Sequence, residues 1–117
     1  MQSGEKSILI AHKKTTLPTG NEAHYGPYHF DPLTIVQIEC QGSNNFYAGF
    51  FNNYEYFRRK GKSKEAFNFD FGTDKPYFSL RKVIDDIYNY YLVLRVGVFT
   101  SKTTIDVYME SIYVGVK

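Results

Sequence analysis

Apolar and polar residues alternate along most of this chain with the two-residue period of a β-strand. Phe67, Phe69 and Phe71 alternate with Asn68 and Asp70, and Thr34, Val36, Ile38 and Cys40 share one face of an apolar run. Leu92, Leu94, Val96 and Val98 alternate with Tyr91, Val93, Arg95 and Gly97; Ile105, Val107 and Met109 alternate with Asp106, Tyr108 and Glu110. The pattern predicts strands over Lys6–Leu17, Tyr25–Phe30, Leu33–Cys40, Asn45–Phe51, Tyr54–Arg59, Glu65–Phe71, Tyr77–Arg81, Tyr90–Phe99 and Thr103–Val116. Turn signals separate them: Pro18–Asn21, Asp31-Pro32, Gly42-Ser43-Asn44, Asn52-Asn53, Gly61, Gly72–Asp74 and Thr100–Lys102.

Strand centres recur roughly every 8 to 12 residues, the spacing of a sandwich or closed barrel. The last two strands read as a hairpin covering one side of the core, with Asp106 or Glu110 as the partner of Arg95. One stretch departs from period two. Leu80, Val83, Ile84 and Ile87 fall at helical spacing behind a capping Ser79, so a short helix near 79–88 competes with a loop. The expected fold is an all-β antiparallel sandwich with jelly-roll or Greek-key connections. An immunoglobulin-like arrangement is also compatible, although the Cys…Trp…Cys spacing of those domains is missing. No linker or repeat divides residues 1–117, so one domain is expected.

Composition narrows the class. The chain has 117 residues, 43% hydrophobic and 22% charged, which is the balance of a folded protein. A net charge of +2 is too small to imply a nucleic-acid binder, so local clustering matters more. The single cysteine, Cys40, excludes an internal disulfide and reads as a small buried hydrophobe. No apolar stretch approaches the roughly 18 residues of a membrane span, and no apolar leader opens the chain. The start Met1–Lys6 fits a mature secreted chain with an added Met as well as a native cytosolic start. Secretion or surface display is slightly favoured over the cytoplasm.

The chemistry concentrates between Phe46 and Phe71. Arg58, Arg59, Lys60, Lys62 and Lys64 place five cations in seven residues around Gly61, directly after Tyr54, Tyr56 and Phe57. Such a run contacts phosphate, sulfate or anionic headgroups, or else forms a solvated hairpin tip whose lysines keep strand edges from pairing. The chain's 11 tyrosines exceed what a core needs, and Tyr at half-exposed positions suits a binding platform. The aromatic, Asn-rich stretch Asn44–Tyr54 could pair with another chain at a sheet edge, making a homo-oligomer conceivable.

Signs of catalysis are thin. There is no nucleophile elbow, Gly-rich phosphate loop or zinc-protease motif. His24 and His29 flank a Gly-Pro turn at a spacing that suits no standard metal pair, so no metal or cofactor is expected. The expectation is a non-enzymatic module recognising a glycan or anionic cell-surface component. Its contacts are Tyr47, Tyr54, Tyr56 and Phe57 for flat surfaces, and Arg58, Arg59, Lys60, Lys62 and Lys64 for charge. The alternative is a small inhibitor, immunity or effector protein acting on a protein partner. A hydrolase built from His24, His29, Asp31 and Cys40 comes third.

Overall fold

The computed structural model describes residues 4–53, 55 and 75–115, and these are nearly all strand. Six strands are present among them: β1 (Gly4–Leu17), β2 (Glu22–Tyr28), β3 (Thr34–Asn52), β4 (Lys75–Ile84), β5 (Tyr90–Arg95) and β6 (Thr103–Gly115). Every pairing is antiparallel, and the order is β1-β6-β3-β5-β2 with β4 also on β3. Apart from Glu55, which no strand includes and whose N–H donates to Asn52 Oδ1 at 2.8 Å, the predicted strands Tyr54–Arg59 and Glu65–Phe71 lie outside the described residues. No described helix is long and apolar enough to cross a membrane.

Strand β3 organises the whole. Its first half pairs with β6 on Ile35–Gly42 and with β4 on Thr34–Gln41, building the ladder β1-β6-β3-β4. Its second half, Tyr47–Asn52, pairs with β5, which pairs in turn with β2. The sheet curls at the junction, so the inner faces of the two ladders meet as the leaves of a half-barrel. Val36, Ile38 and Cys40 from β3 and Ile105, Val107 and Met109 from β6 join Leu92 and Leu94 of β5 in one buried cluster. Between β1 and β2 the closure is made by side chains: Lys13 Nζ lies 4.7 Å from the centre of the Tyr25 ring, and the Thr15 hydroxyl bonds the Tyr25 hydroxyl.

The alternation predicted these faces, but five expectations need correction. Gly42-Ser43-Asn44 is not a turn between strands; β3 runs through it with a register shift between Gln41 and Phe46. A Cβ on Gly42 would lie 2.7 Å from both the Asn44 carbonyl oxygen and the Phe46 ring, so the chain bends there only because the side chain is missing. Residues 79–84 are strand, not helix: Phe78, Leu80 and Ile84 face the core side, and Lys82 at the same inner register masked the period.

The last two strands form no hairpin. β5 pairs with β3 and β2 while β6 pairs with β1 and β3, so the intervening loop crosses between ladders. β5 therefore ends at Arg95, and Val98 is exposed rather than part of an apolar face. Arg95 accordingly meets Glu22 of β2, not Asp106 or Glu110. Within β2, the register shift between Tyr25 and Tyr28 sits at Gly26, whose φ of 129° and 2.7 Å Cβ approach to the Tyr90 carbonyl oxygen admit no side chain.

Candidate binding surface

Because Val36, Ile38 and Cys40 point inward, Gln37, Glu39 and Gln41 must point to solvent, and the register sets their neighbours. Three rows cross the outer face of the first ladder. Lys14, Asp106, Gln41 and Tyr77 form one, and His12, Tyr108, Glu39 and Ser79 form the next. Leu9, Glu110, Gln37 and Arg81 form the third.

Hydrogen bonds tie the rows together. Glu39 Oε2 accepts from Gln37 Nε2 at 2.5 Å and from Ser79 Oγ at 2.6 Å, and Arg81 Nη1 donates to Gln37 Oε1 at 3.2 Å. Glu110 accepts from the Ser7 hydroxyl and, at 3.0 Å, from the Tyr108 hydroxyl. That bond to a carboxylate holds the Tyr108 hydroxyl proton and raises its pKa. His12 stands edge-on to Tyr108 with ring centres 5.6 Å apart, and its Nε2 lies 3.7 Å from Asp106. A hollow of about 260 Å³ opens here, with His12, Glu39, Gln41, Tyr77, Asp106 and Tyr108 in its walls.

A second hollow, of about 440 Å³, lies farther along the same strands where β3 bends. Ser43, Asn44, Asn45 and Ser101 line it together with Phe99, whose side chain is wholly exposed. Ser43 Oγ accepts from Thr104 N at 3.0 Å and Asn44 Nδ2 donates to the Lys102 carbonyl at 3.3 Å, so β6 pins the bend. Gln41 Nε2 donates to the Pro76 carbonyl at 3.3 Å between the two hollows. Alternation alone flagged the polar positions of β3 and β6 without showing that four strands bring them into one surface. Nothing in the sequence marked Phe99, which reads as the last apolar residue of a strand.

Of the predicted contact residues, Tyr47 lies on the outer face of the second ladder. It is half-buried against the pair Phe51 and Val93 and stands opposite Arg95. Tyr54, Tyr56, Phe57, Arg58, Arg59, Lys60, Lys62 and Lys64 lie outside the described residues.

Of the groups of the hydrolase reading, His29 and Asp31 line one hollow, but neither His24 nor Cys40 does. His24 is on the outer face of β2, with Nε2 2.5 Å from Glu22, and His29 Nδ1 is 3.2 Å from Asn89 Oδ1. Cys40 belongs to the core, where burial, helped by Glu39 and Asp106, pushes its thiol up to about 12. A thiol so protonated is a packing group rather than a nucleophile. Among the described residues no group of three or more His, Cys, Asp or Glu could hold a metal ion. No protein-family model matches this chain, and a comparison with curated proteins finds no match either.

Proposed function

We propose that this chain is a non-enzymatic binding module for a glycan, which it reads on the outer face of the β1-β6-β3-β4 ladder. The observation that carries this is the first hollow, where two tyrosine rings and a histidine stand with the Gln41 amide and the Glu39 and Asp106 carboxylates. A sugar ring offers an apolar C–H face and a rim of hydroxyls. The first suits the flat sides of Tyr77, Tyr108 and His12, and the second suits side chains that donate and accept in fixed directions. The bonds from Gln37 and Ser79 to Glu39 hold its carboxylate in one rotamer before any ligand arrives, which lowers the entropy lost on binding. The second hollow, with the exposed Phe99 ring beside Asn44 and Asn45, extends the surface enough to take a further sugar unit.

Charge supports a neutral saccharide at this face. Glu39, Asp106 and Glu110 stand among its rows against Lys14 and Arg81, a balance that gives an anionic sugar no net attraction. An anionic ligand belongs instead to Arg58–Lys64. A glycan array of neutral and sulfated sugars, probed at low and high salt, separates the two. The expected result is binding to neutral glycans that persists at high salt. Binding confined to sulfated sugars and lost with salt would move the site to the basic run, and no binding to any glycan would overturn the reading.

A further inference from the structure

The inward positions of β6 and β3 change character at the same end of the sheet. Ile105, Val107 and Met109 fill successive inward places on β6, and the next is Ser111. Cys40, Ile38 and Val36 do the same on β3, and the next is Thr34. Hydroxyl residues thus stand where the alternation calls for aliphatic ones. A third hollow, of about 410 Å³, opens there with Ser111 and Thr34 in its walls.

The remaining walls come from both leaves. On β1, Ile8 opposes Ser111, and the bulge between Leu9 and Ala11 leaves Ile10 packed against the core beside it. Ile8 is 61% exposed although its register turns it inward, so the hollow opens to solvent there. From the other leaf comes Phe30, which is buried, its ring centre 6.4 Å from those of Tyr28, Phe50 and Tyr90. That aromatic cluster makes a fixed wall. His29 and Asp31 flank Phe30 in the chain and line the hollow with it. His29 Nδ1 lies 3.2 Å from Asn89 Oδ1; the amide oxygen accepts, so in the neutral ring Nδ1 carries the proton and Nε2 is an acceptor.

Small-molecule sites favour the mouths of barrels, where a few convergent polar groups stand in apolar walls around roughly 300–1,000 Å³. This hollow has each of those properties. Its chemistry selects the ligand. Ile8, Ile10 and Phe30 call for a hydrocarbon body, and two hydroxyls beside a carboxylate call for a head that both donates and accepts. Asp31 repels a carboxylate head. It is itself exposed, so solvent screens its pull on an ammonium, which would also shed water against aliphatic walls. Lys82 ends the row of Ile8 and Ser111 but stands beyond the buried Val36, outside these walls. We propose that this hollow binds a medium-chain aliphatic alcohol, its chain on Ile8, Ile10 and Phe30 and its hydroxyl at Ser111, Thr34 and Asp31. The site lies on the inner side of the sheet, opposite the saccharide rows, and stands or falls independently of them.

Fluorescence titration of the purified chain with N-phenyl-1-naphthylamine, a neutral dye, followed by displacement with 1-octanol, tests this. The dye is expected to bind saturably, and 1-octanol to displace it at concentrations about tenfold below those of sodium octanoate or octylamine at pH 7. Ile8→Glu should weaken dye and alcohol alike by about tenfold, because either would desolvate the new carboxylate. Ser111→Ala should weaken 1-octanol roughly three- to tenfold, the worth of one hydrogen bond, and leave the dye unchanged. Val98→Glu, at an exposed position outside the hollow, should alter neither. Circular dichroism checks that each variant keeps its strands. The proposal is overturned by a lack of saturable dye binding, or by octanoate or octylamine displacing the dye as well as the alcohol does. Unchanged binding in Ile8→Glu, or unchanged alcohol binding in Ser111→Ala, overturns it too. So does sedimentation that shows a dimer dissociated by Ile8→Glu while no alcohol binds, which would assign the hollow to a second copy.

Discussion

Arg95 Nη1 lies 3.6 Å from Glu22 Oε1 across the β5–β2 ladder, with only 4% of the arginine side chain exposed. A buried guanidinium is tolerated only beside a countercharge, and its Nε has no hydrogen-bond partner among the described residues. Glu22→Ala should therefore lower stability by about 2–3 kcal/mol, at the lower end of what removing one member of a buried pair costs, because Glu22 is partly solvated. Arg95→Met in the same background should recover most of that loss. Urea unfolding of the single and double variants checks both, and additive losses would show that the pair is not coupled.

Cys40 sets a limit on the alkaline side. In the unfolded chain its thiol ionises near 9, whereas in the fold it holds its proton to about 12. Between those values the folded state binds more protons than the unfolded one, so stability is complete below pH 9 and falls as pH rises. The slope is at most about 1.4 kcal/mol per pH unit for each such group. Tyr90, raised by burial and by the bond its hydroxyl donates to Asp86 at 2.7 Å, adds to the fall from pH 10 upward. Denaturant midpoints across pH 7 to 11 should decline, and Cys40→Ala should flatten the section between 9 and 10. A thiol reagent at pH 8 should leave Cys40 unmodified until the protein is unfolded.

Gly42→Ala should destabilise by about 2 kcal/mol, since the new methyl meets a carbonyl oxygen and the fully buried Phe46 ring at once. Neither neighbour is the loose end of a flexible side chain. Thermal melts of this variant beside Gly97→Ala, where a Cβ finds only ordinary contacts, isolate the effect from the general cost of replacing glycine.

Tyr77→Ala and Glu39→Ala should each weaken saccharide binding at least tenfold, about 1.4 kcal/mol, while shifting Tm by no more than about 2 °C. Both residues face solvent on the outer rows, so their loss empties no core position. Titration calorimetry with a glycan identified on the array reads the first effect, and a melt reads the second.

How much of this was legible in the residues follows from what each local signal encodes. Period two is a property of a single strand, so the inward positions Val36, Ile38, Leu92, Leu94, Val107 and Met109 could be named before any partner was known. Pairing is a property of two strands, and Thr100–Lys102 looks like a hairpin turn although it carries the chain from one ladder to the other. Gly42 to Asn44 presents the same ambiguity, because glycine and asparagine mark a bend within a strand as readily as its end. Lys82 hid the alternation of β4 by occupying an inward register at the flank of the sheet. For the candidate surface, the polar outward positions were visible one strand at a time. Only the register shows that Glu39, Tyr108 and His12 share a row.

The length of β3 has a mechanical meaning. A strand that supplies backbone partners to both ladders leaves neither with a complete set of its own, so neither leaf can peel away and remain a sheet. Amides of Val36–Cys40 and Ala48–Phe50, wedged between neighbours or under the shared core, should then exchange with solvent only when everything opens at once. The molecule behaves as a folded page whose crease is also its spine: it has no half to shed.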